Sequence, residues 1–320
     1  MKNNTNLSIV FFGTPEFAAI VLERLDASPY KPAFIVTTPD MPAGRKQILN
    51  PPPVKLYAEK LSIPVFQPAT RKELQEGPTL RGGSVLPARA DLFIVAAYGK
   101  ILPKEILKIP KYGTLNVHPS LLPRWRGASP IQSAILAGDK ETGASIILMD
   151  ARMDHGPVLA QKKWPIAVDA TTESLSMELA NFSAELLLET IPEWLEGRIT
   201  PIEQDHEKAV FCKPVSKENA RIDWNKSAEE IERMVRAYTP WPGTFTLWDG
   251  KRIIIHSARV ANSQQENLEP GKVIAFENTL AIQAGANILI PVLVQYEGKK
   301  EQSAQEFLRG HSQIIGAILK

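Results

Sequence analysis

Between residues 8 and 149 the chain alternates short apolar runs with stretches of helical spacing, a rhythm that few folds can accommodate. The runs are Ser8–Phe12, Ala33–Thr37, Ile63–Phe66, Leu92–Ala97, Leu115–His118 and Ser145–Met149. They are strand-length and apolar at nearly every position, so they read as strands buried on both faces. Ser8–Phe12 ends in Gly13-Thr14-Pro15, and from Glu16 to Leu25 the apolar residues fall at 17, 18, 21, 22 and 25. This is a strand, a tight turn and a helix, with Pro15 in the first turn where a missing N–H is harmless. Val54–Leu61 and Pro130–Ala137 read as further helices, the second closed by Gly138. Strands alternating with helices predict an α/β fold with a doubly wound, mostly parallel sheet. Such sheets collect ligands at the carboxyl ends of their strands.

The rest of the chain changes character. Ser174–Leu195 is a long amphipathic helix with Leu175, Leu179, Phe182 and Leu186 on one stripe. Residues 197–216 are polar, proline-punctuated and weakly patterned, as a linker would be. Ser227-Ala228-Glu229-Glu230 is a capping box that opens a helix to about Tyr238. Asp249-Gly250 between Thr244–Trp248 and Arg252–His256 is a hairpin signal. Lys272–Phe276, Leu280–Gln283, Asn287–Leu289 and Val292–Gln295 add short strands, and Ser303-Ala304-Gln305-Glu306 starts a late helix. A small closed β-barrel of the oligonucleotide-binding (OB) type fits this order. The expected division is a catalytic domain over 1–196, a linker over 197–216 and an OB-like domain over 217–320.

Composition narrows the function classes. The 320 residues carry a net charge of +2, so no general electrostatic argument for nucleic acid or membrane arises. One cysteine, Cys212, excludes a disulfide framework and a cysteine metal cluster. The start, Met1 to Asn6, is polar with no apolar signal-peptide h-region behind it, and no run reaches membrane-spanning length. A soluble, cytoplasmic monomer is expected, without membrane or metal partners. Gly13-Thr14-Pro15 lacks the Gly-x-Gly-x-x-Gly pattern, which argues against a dinucleotide cofactor.

The chemistry concentrates in two clusters. Asn116-Val117-His118-Pro119-Ser120-Leu121-Leu122-Pro123-Arg124-Trp125-Arg126-Gly127 is the first, and Met149-Asp150-Ala151-Arg152-Met153-Asp154-His155-Gly156 the second. Residues two apart on a strand point to one face, so Asn116 and His118 can share a pocket. A carboxylate arriving from the next strand, Asp154, can orient and charge-stabilise the imidazole. An amide, an imidazole and a carboxylate together suit acyl transfer onto an amine.

The Asn-Val-His-Pro-Ser-Leu-Leu-Pro string, with Arg124-x-Arg126-Gly127 and the later Asp154-x-Gly156, resembles the 10-formyltetrahydrofolate-dependent formyltransferase superfamily. Further stretches point to its branch acting on methionyl-tRNA: Phe12–Ala18, Pro39-Asp40-x-Pro42-Ala43-Gly44-Arg45, Ala97-Tyr98-Gly99, Ala128–Gln132, Ala220–Trp224 and Pro240-Trp241-Pro242. The resemblance spans essentially the whole chain. It implies formyl transfer from 10-formyltetrahydrofolate to the α-amino group of methionine on initiator tRNA, for translation initiation. It also implies that Asn116 and protonated His118 stabilise the tetrahedral oxyanion, while Asp154 holds the imidazole and assists amine deprotonation. By the same resemblance, Ser120, Leu121, Leu122 and Pro123 bind folate with Tyr98 and Gly99, the loop backbone reading the pterin edge. Arg45, Arg124 and Arg126 are the tRNA-contact candidates. The sequence departs from the family pattern at Met41 and in the less basic Arg45-Lys46-Gln47 stretch, which predicts weaker phosphate contact there. Trp241 is expected in core packing rather than base stacking.

Three other readings stay open at this point. One is formyl transfer to a ribonucleotide or sugar amine, another is hydrolysis of formyltetrahydrofolate, and the third is an inactive RNA-binding module.

Overall fold

A computed structural model describes residues 7–43, 48–76, 79–80, 83–84, 90–263 and 268–320. The chain divides into two compact units. One comprises Met1–Pro130, Glu141–Pro165 and Ser176–Cys212; the other comprises Ile131–Lys140, Ile166–Leu175 and Lys213–Lys320.

The first unit is built on a sheet of seven strands: β1 (Ile9–Gly13), β2 (Phe34–Val36), β3 (Val65–Phe66), β4 (Leu92–Ala96), β5 (Thr114–His118), β6 (Glu141–Leu148) and β7 (Val158–Pro165). Their spatial order is β7-β6-β5-β4-β1-β2-β3. β3, β2, β1, β4 and β5 run parallel, and β6 and β7 continue the sheet antiparallel. The order reverses between β1 and β4, the switch point of a doubly wound sheet. Every residue of β1, β2, β4 and β5 is buried, which explains why their apolar runs do not alternate. Val10, Phe12, Phe34, Val36, Phe93 and Val95 form one face and pack with Leu74, Leu102 and Ile106. Gly13 makes the turn into the helix Glu16–Asp26 by size: a Cβ there would stand 2.7 Å from the Cβ of Ala18 and 3.0 Å from the carbonyl of Ala96.

Two features of this unit depart from the sequence expectation. β7, with Gln161-Lys162-Lys163 exposed, is an edge strand whose polar residues hide its pattern. The stretch read as a linker belongs to this unit through Cys212, where Phe211–Cys212 pairs in parallel with Arg126–Gly127.

The second unit holds an antiparallel sheet of β8 (Thr244–Trp248), β9 (Lys251–Ala261), β10 (Val273–Phe276), β11 (Thr279–Gln283), β12 (Ile288–Tyr296) and β13 (Glu301–Ser303). The order is β8-β9-β12-β11-β10, with β13 on β12. Residues 316–320 bond to both edges. The N–H of Leu247 donates to Lys320 O (2.8 Å), that of Val273 to Ala317 O (2.9 Å) and that of Leu319 to Gly271 O (2.9 Å). The sheet thus closes on itself around Trp224, Ile231, Trp248, Ile253, Leu289 and Phe307, as a small barrel does. Asp249 and Gly250 take φ of +47° and +77° in the β8–β9 turn, the backbone that an Asp-Gly hairpin requires. The predicted Asn287–Leu289 and Val292–Gln295 are one strand. Pro291 lies inside it opposite Ala258, and a register shift around Ser257 in β9 absorbs the missing donor. The box at Ser227 and Glu230 caps Ala228–Ala237, and Ser303 caps Ala304–Gly310 in the same way. Trp241 is 54% exposed; held between Pro240 and Pro242, it lies outside the core in which it was expected.

Among the described residues no helix is long and apolar enough to cross a membrane.

Candidate active site

The site grows from the end of β5. Thr114, Asn116 and His118 project on the sheet face that carries Phe93 and Val95, because Thr114 pairs with Phe93 and Asn116 with Val95. Asn116 and His118 are 7% and 5% exposed. A buried amide or imidazole without a partner loses about 1–3 kcal/mol, and each of these has one.

Asp154 supplies the first partner. Asn116 Nδ2 donates to Asp154 Oδ1 at 3.2 Å, and the backbone N–H of Gly127 donates to Oδ2 at 2.8 Å. The same Oδ1 lies 3.7 Å from His118 Nδ1, an ion-pair distance rather than a hydrogen bond. Nε2 of His118 lies 2.9 Å from the carbonyl of Trp125. The structure therefore brings Asn116, His118 and Asp154 together.

Asp154 does not reach the site from the end of a strand beside His118. Ser145 is the residue of β6 opposite His118, and Leu148 is opposite Leu115, so β6 leaves at the amino end of β5. The β6–β7 hairpin loop then folds back over the sheet face. Gly156 permits this, since a Cβ there would stand 1.9 Å from the carbonyl of Leu148. Asp154 and Trp125 take φ of +47° and +62°, a left-handed backbone that is strained in residues other than glycine.

The Ser120–Pro123 segment is braced from the sheet. Ser145 Oγ donates to Ser120 O (2.6 Å) and accepts from Leu122 N (3.2 Å). Gln161 Nε2 donates to Leu122 O (3.0 Å), Val210 N to Pro123 O (3.2 Å), Arg124 N to Leu121 O (3.0 Å) and Ser120 Oγ to Arg124 O (2.7 Å). Each carbonyl from 120 to 124 thus already accepts one internal hydrogen bond, and Ser120 and Leu122 have donated their N–H groups. Those two N–H groups are therefore not open to a ligand. What the loop offers a ligand is the second lone pair of its carbonyls. Leu122 is itself buried, while Leu121 packs over Gly143.

The Tyr98 side chain belongs to the core. It is 2% exposed, lies edge-on to Phe12 at 5.6 Å, and its hydroxyl is buried without a hydrogen-bond partner. Burial pushes its pKa up to about 12. Only its backbone faces the β1 turn, where its carbonyl accepts from Thr14 Oγ1 at 3.0 Å. Gly99 is exposed at φ +79° with open space on its Cβ side.

The arginines separate. Arg124 is exposed, its guanidinium 4.3 Å from the Trp125 ring centroid. Arg126 is 3% exposed and directed inward, which corrects its reading as an RNA-contacting surface cation. Its Nε and Nη2 donate to Gln204 Oε1 (3.0 and 2.6 Å), and Nη2 also donates to His206 Nδ1 (2.9 Å). Burial lowers its pKa, opposed by the charges of Asp154 and Asp150. Arg45 lies outside the described residues.

Sequence reasoning missed Ser145, Gln161 and Gln204. Ser145 had a faint signal, a lone hydroxyl inside an apolar strand; Gln204, in a polar stretch without period, had none. Among the described residues no group of histidine, cysteine, aspartate and glutamate is arranged to hold a metal ion.

Residues 7–191 match the family model described as formyl transferase, and residues 214–312 match the formyl transferase C-terminal domain. The chain is 44% identical over 306 residues to the methionyl-tRNA formyltransferase of Roseiflexus castenholzii, covering 95% of this chain and 96% of that protein. It is 42% identical to the methionyl-tRNA formyltransferase of Methylococcus capsulatus, covering 96% and 97%. Among solved structures, an N-formyltransferase from Helicobacter canadensis in complex with folinic acid and dTDP-3-aminofucose aligns at a TM-score of 0.64 and 18% identity, covering 89% of this chain and 99% of that one. HypX from Aquifex aeolicus in complex with tetrahydrofolic acid aligns at a TM-score of 0.62 and 17% identity, covering 94% of this chain. The chain spans about half the length of HypX, 47% of it. At those identities the structures show a shared fold alone. The family matches and the full-length relatives establish that this chain is a formyl transferase, of the methionyl-tRNA formyltransferase branch.

Proposed function

We propose that the protein transfers the formyl group of 10-formyltetrahydrofolate to the α-amino group of methionyl initiator tRNA, with Asn116, His118 and Asp154 as its catalytic residues. The observation that carries this reading is the convergence of those three side chains on one buried point, in a chain whose full-length relatives act on methionyl-tRNA.

The formyl donor supplies a carbonyl carbon open to attack by an amine. Everything else falls to residues of the chain. An amide NH₂ has two donors. Asn116 uses one on Asp154 and has a second for the oxygen that becomes negative during attack. His118 keeps Nε2–H on the Trp125 carbonyl and, when protonated, turns Nδ1–H toward the same region. Asp154 balances that charge and accepts a proton from the incoming amine, directly or through water; collapse of the tetrahedral oxyanion then breaks the bond from the formyl carbon to N10, which takes up that proton and leaves as tetrahydrofolate. The donor fits the Ser120–Pro123 loop chemically, because each braced carbonyl retains a lone pair for the N–H groups of a pterin. Arg124 and Arg45 are candidates for phosphate contact with the acceptor.

The test is formyl transfer by purified protein from 10-formyltetrahydrofolate, comparing methionyl initiator tRNA, uncharged tRNA and no acceptor. Formyl-methionine formed only with the charged tRNA is the expected result. Folate turnover without an acceptor would make the protein a hydrolase, and turnover only with a sugar or ribonucleotide amine would reassign the substrate.

A further inference from the structure

We propose that Gln204 is a positioning residue for Asp154, setting the carboxylate from outside the two motifs that contain the site. The inference rests on the role given to Asp154 above. Asp154 is held in its left-handed backbone from two sides. Gly127 N–H takes its carboxylate, and Gln204 Nε2 donates to its backbone carbonyl at 2.9 Å. The same amide nitrogen donates to Gly156 O at 2.7 Å, so both Gln204 donors go to one loop. The orientation of this amide is unambiguous. A guanidinium only donates, so the atom facing Arg126 must be the oxygen and the atom facing the two carbonyls the nitrogen. Gln204 is 7% exposed. Without it, the turn carrying Asp154 keeps its anchor at Leu148 N–Pro157 O and the bonds to the Asp154 carboxylate, and loses both bonds to the backbone carbonyls of Asp154 and Gly156. A shift of about 1 Å at a reacting group can slow a reaction a hundredfold.

A competing role is simply to pair with the buried charge of Arg126. Gln204→Glu separates the two, since a carboxylate accepts from Arg126 at least as well but cannot donate to the carbonyls of Asp154 and Gly156. Formyl transfer to methionyl-tRNA and thermal melting are measured for the full chain carrying Gln204→Glu, Asp154→Asn and both. Positioning predicts that Gln204→Glu stays folded at the assay temperature, loses about ten- to a hundredfold in kcat, and changes either KM by less than about threefold. In the Asp154→Asn background it should cost nothing further, because it acts through that carboxylate. Unchanged kcat, or losses that multiply in the double variant, would overturn the inference. Should Gln204→Glu not fold, the pair Arg126→Met with Gln204→Met removes the buried charge together with its partner and must show the same kcat loss. If Asp154→Asn alone keeps full kcat, the catalytic reading of Asp154 fails and the inference falls with it. A slow Asp154→Asn beside a fast Gln204→Glu rejects only the role of Gln204.

Discussion

The carbonyl oxygen of Trp125 lies 2.9 Å from Nε2 of His118 and assigns the tautomer of that histidine. A carbonyl only accepts, so Nε2 carries a proton, and Nδ1 is the nitrogen that faces Asp154 at 3.7 Å. Trp125 holds a left-handed backbone, φ +62°, at this contact. The basic nitrogen and the carboxylate thus face one point, with Asn116 bonded to the same carboxylate oxygen.

From this arrangement, His118→Ala and Asp154→Ala are each expected to reduce kcat for formyl transfer by at least about a hundredfold, the usual scale for acid–base and oxyanion groups. Binding of tRNA, measured by filter retention, should change little. Near-normal turnover in both variants would remove these residues from the mechanism.

Tyr98→Phe is expected to leave turnover unchanged and stability equal or higher. The hydroxyl it removes is buried and unpartnered, a state that disfavours folding by about 1–3 kcal/mol. The pH dependence has a definite sign. The folded-state pKa is about 12 against an ordinary 10.0, so the unfolded chain ionises first. The stability tied to this group is intact below pH 10 and falls as pH rises toward 12, by up to about 3 kcal/mol. The stability difference between the two proteins in urea titrations should therefore stay constant below pH 10 and widen above it. A loss of folate affinity in Tyr98→Phe would instead mean that the hydroxyl meets the ligand.

Much of this was legible in the sequence, for identifiable reasons. The parallel strands are buried on both faces, so their apolar runs stood out. The capping boxes at Ser227 and Ser303 and the Asp249-Gly250 turn are local signals that tertiary context did not override. Asn116 and His118 were readable because period two holds on any strand. What stayed hidden depends on contacts remote in the chain. Gln204 reaches Arg126 across 78 positions and Ser145 braces Leu122 across 23, and no periodicity marks either. Arg126 looked like a surface cation because charge alone does not reveal burial.

Ser145→Ala is expected to act on the folate site through the Ser120–Pro123 loop. The hydroxyl gives its proton to Ser120 O and receives one from Leu122 N and another from Gln161 Nε2. Its removal leaves buried groups unpaired, a penalty of about 1–3 kcal/mol that weakens whatever the loop holds in place. Under the proposed function, KM for the formyl donor should rise about tenfold or more with KM for tRNA little changed. Parallel rises in both constants would point to general loosening.

Two glycines give a final test of how tightly the site is built. Gly99 and Gly127 both have left-handed φ, +79° and +118°, but differ in their surroundings. A Cβ on Gly99 meets nothing within 4 Å, whereas on Gly127 it would stand 2.3 Å from the carbonyl oxygen of Cys212. Gly99→Ala should therefore lose only the conformational term, about 1–2 kcal/mol. Gly127→Ala adds a clash with backbone that cannot rotate away. It must break the pairing of Arg126–Gly127 with Phe211–Cys212 and pull the Gly127 N–H from Asp154. A loss of more than about 3 kcal/mol is expected, together with lower kcat at temperatures where the variant is still folded. Urea midpoints that fall equally for the two variants would show that the Phe211–Cys212 segment can move aside, and that Asp154 is held less rigidly than this packing requires.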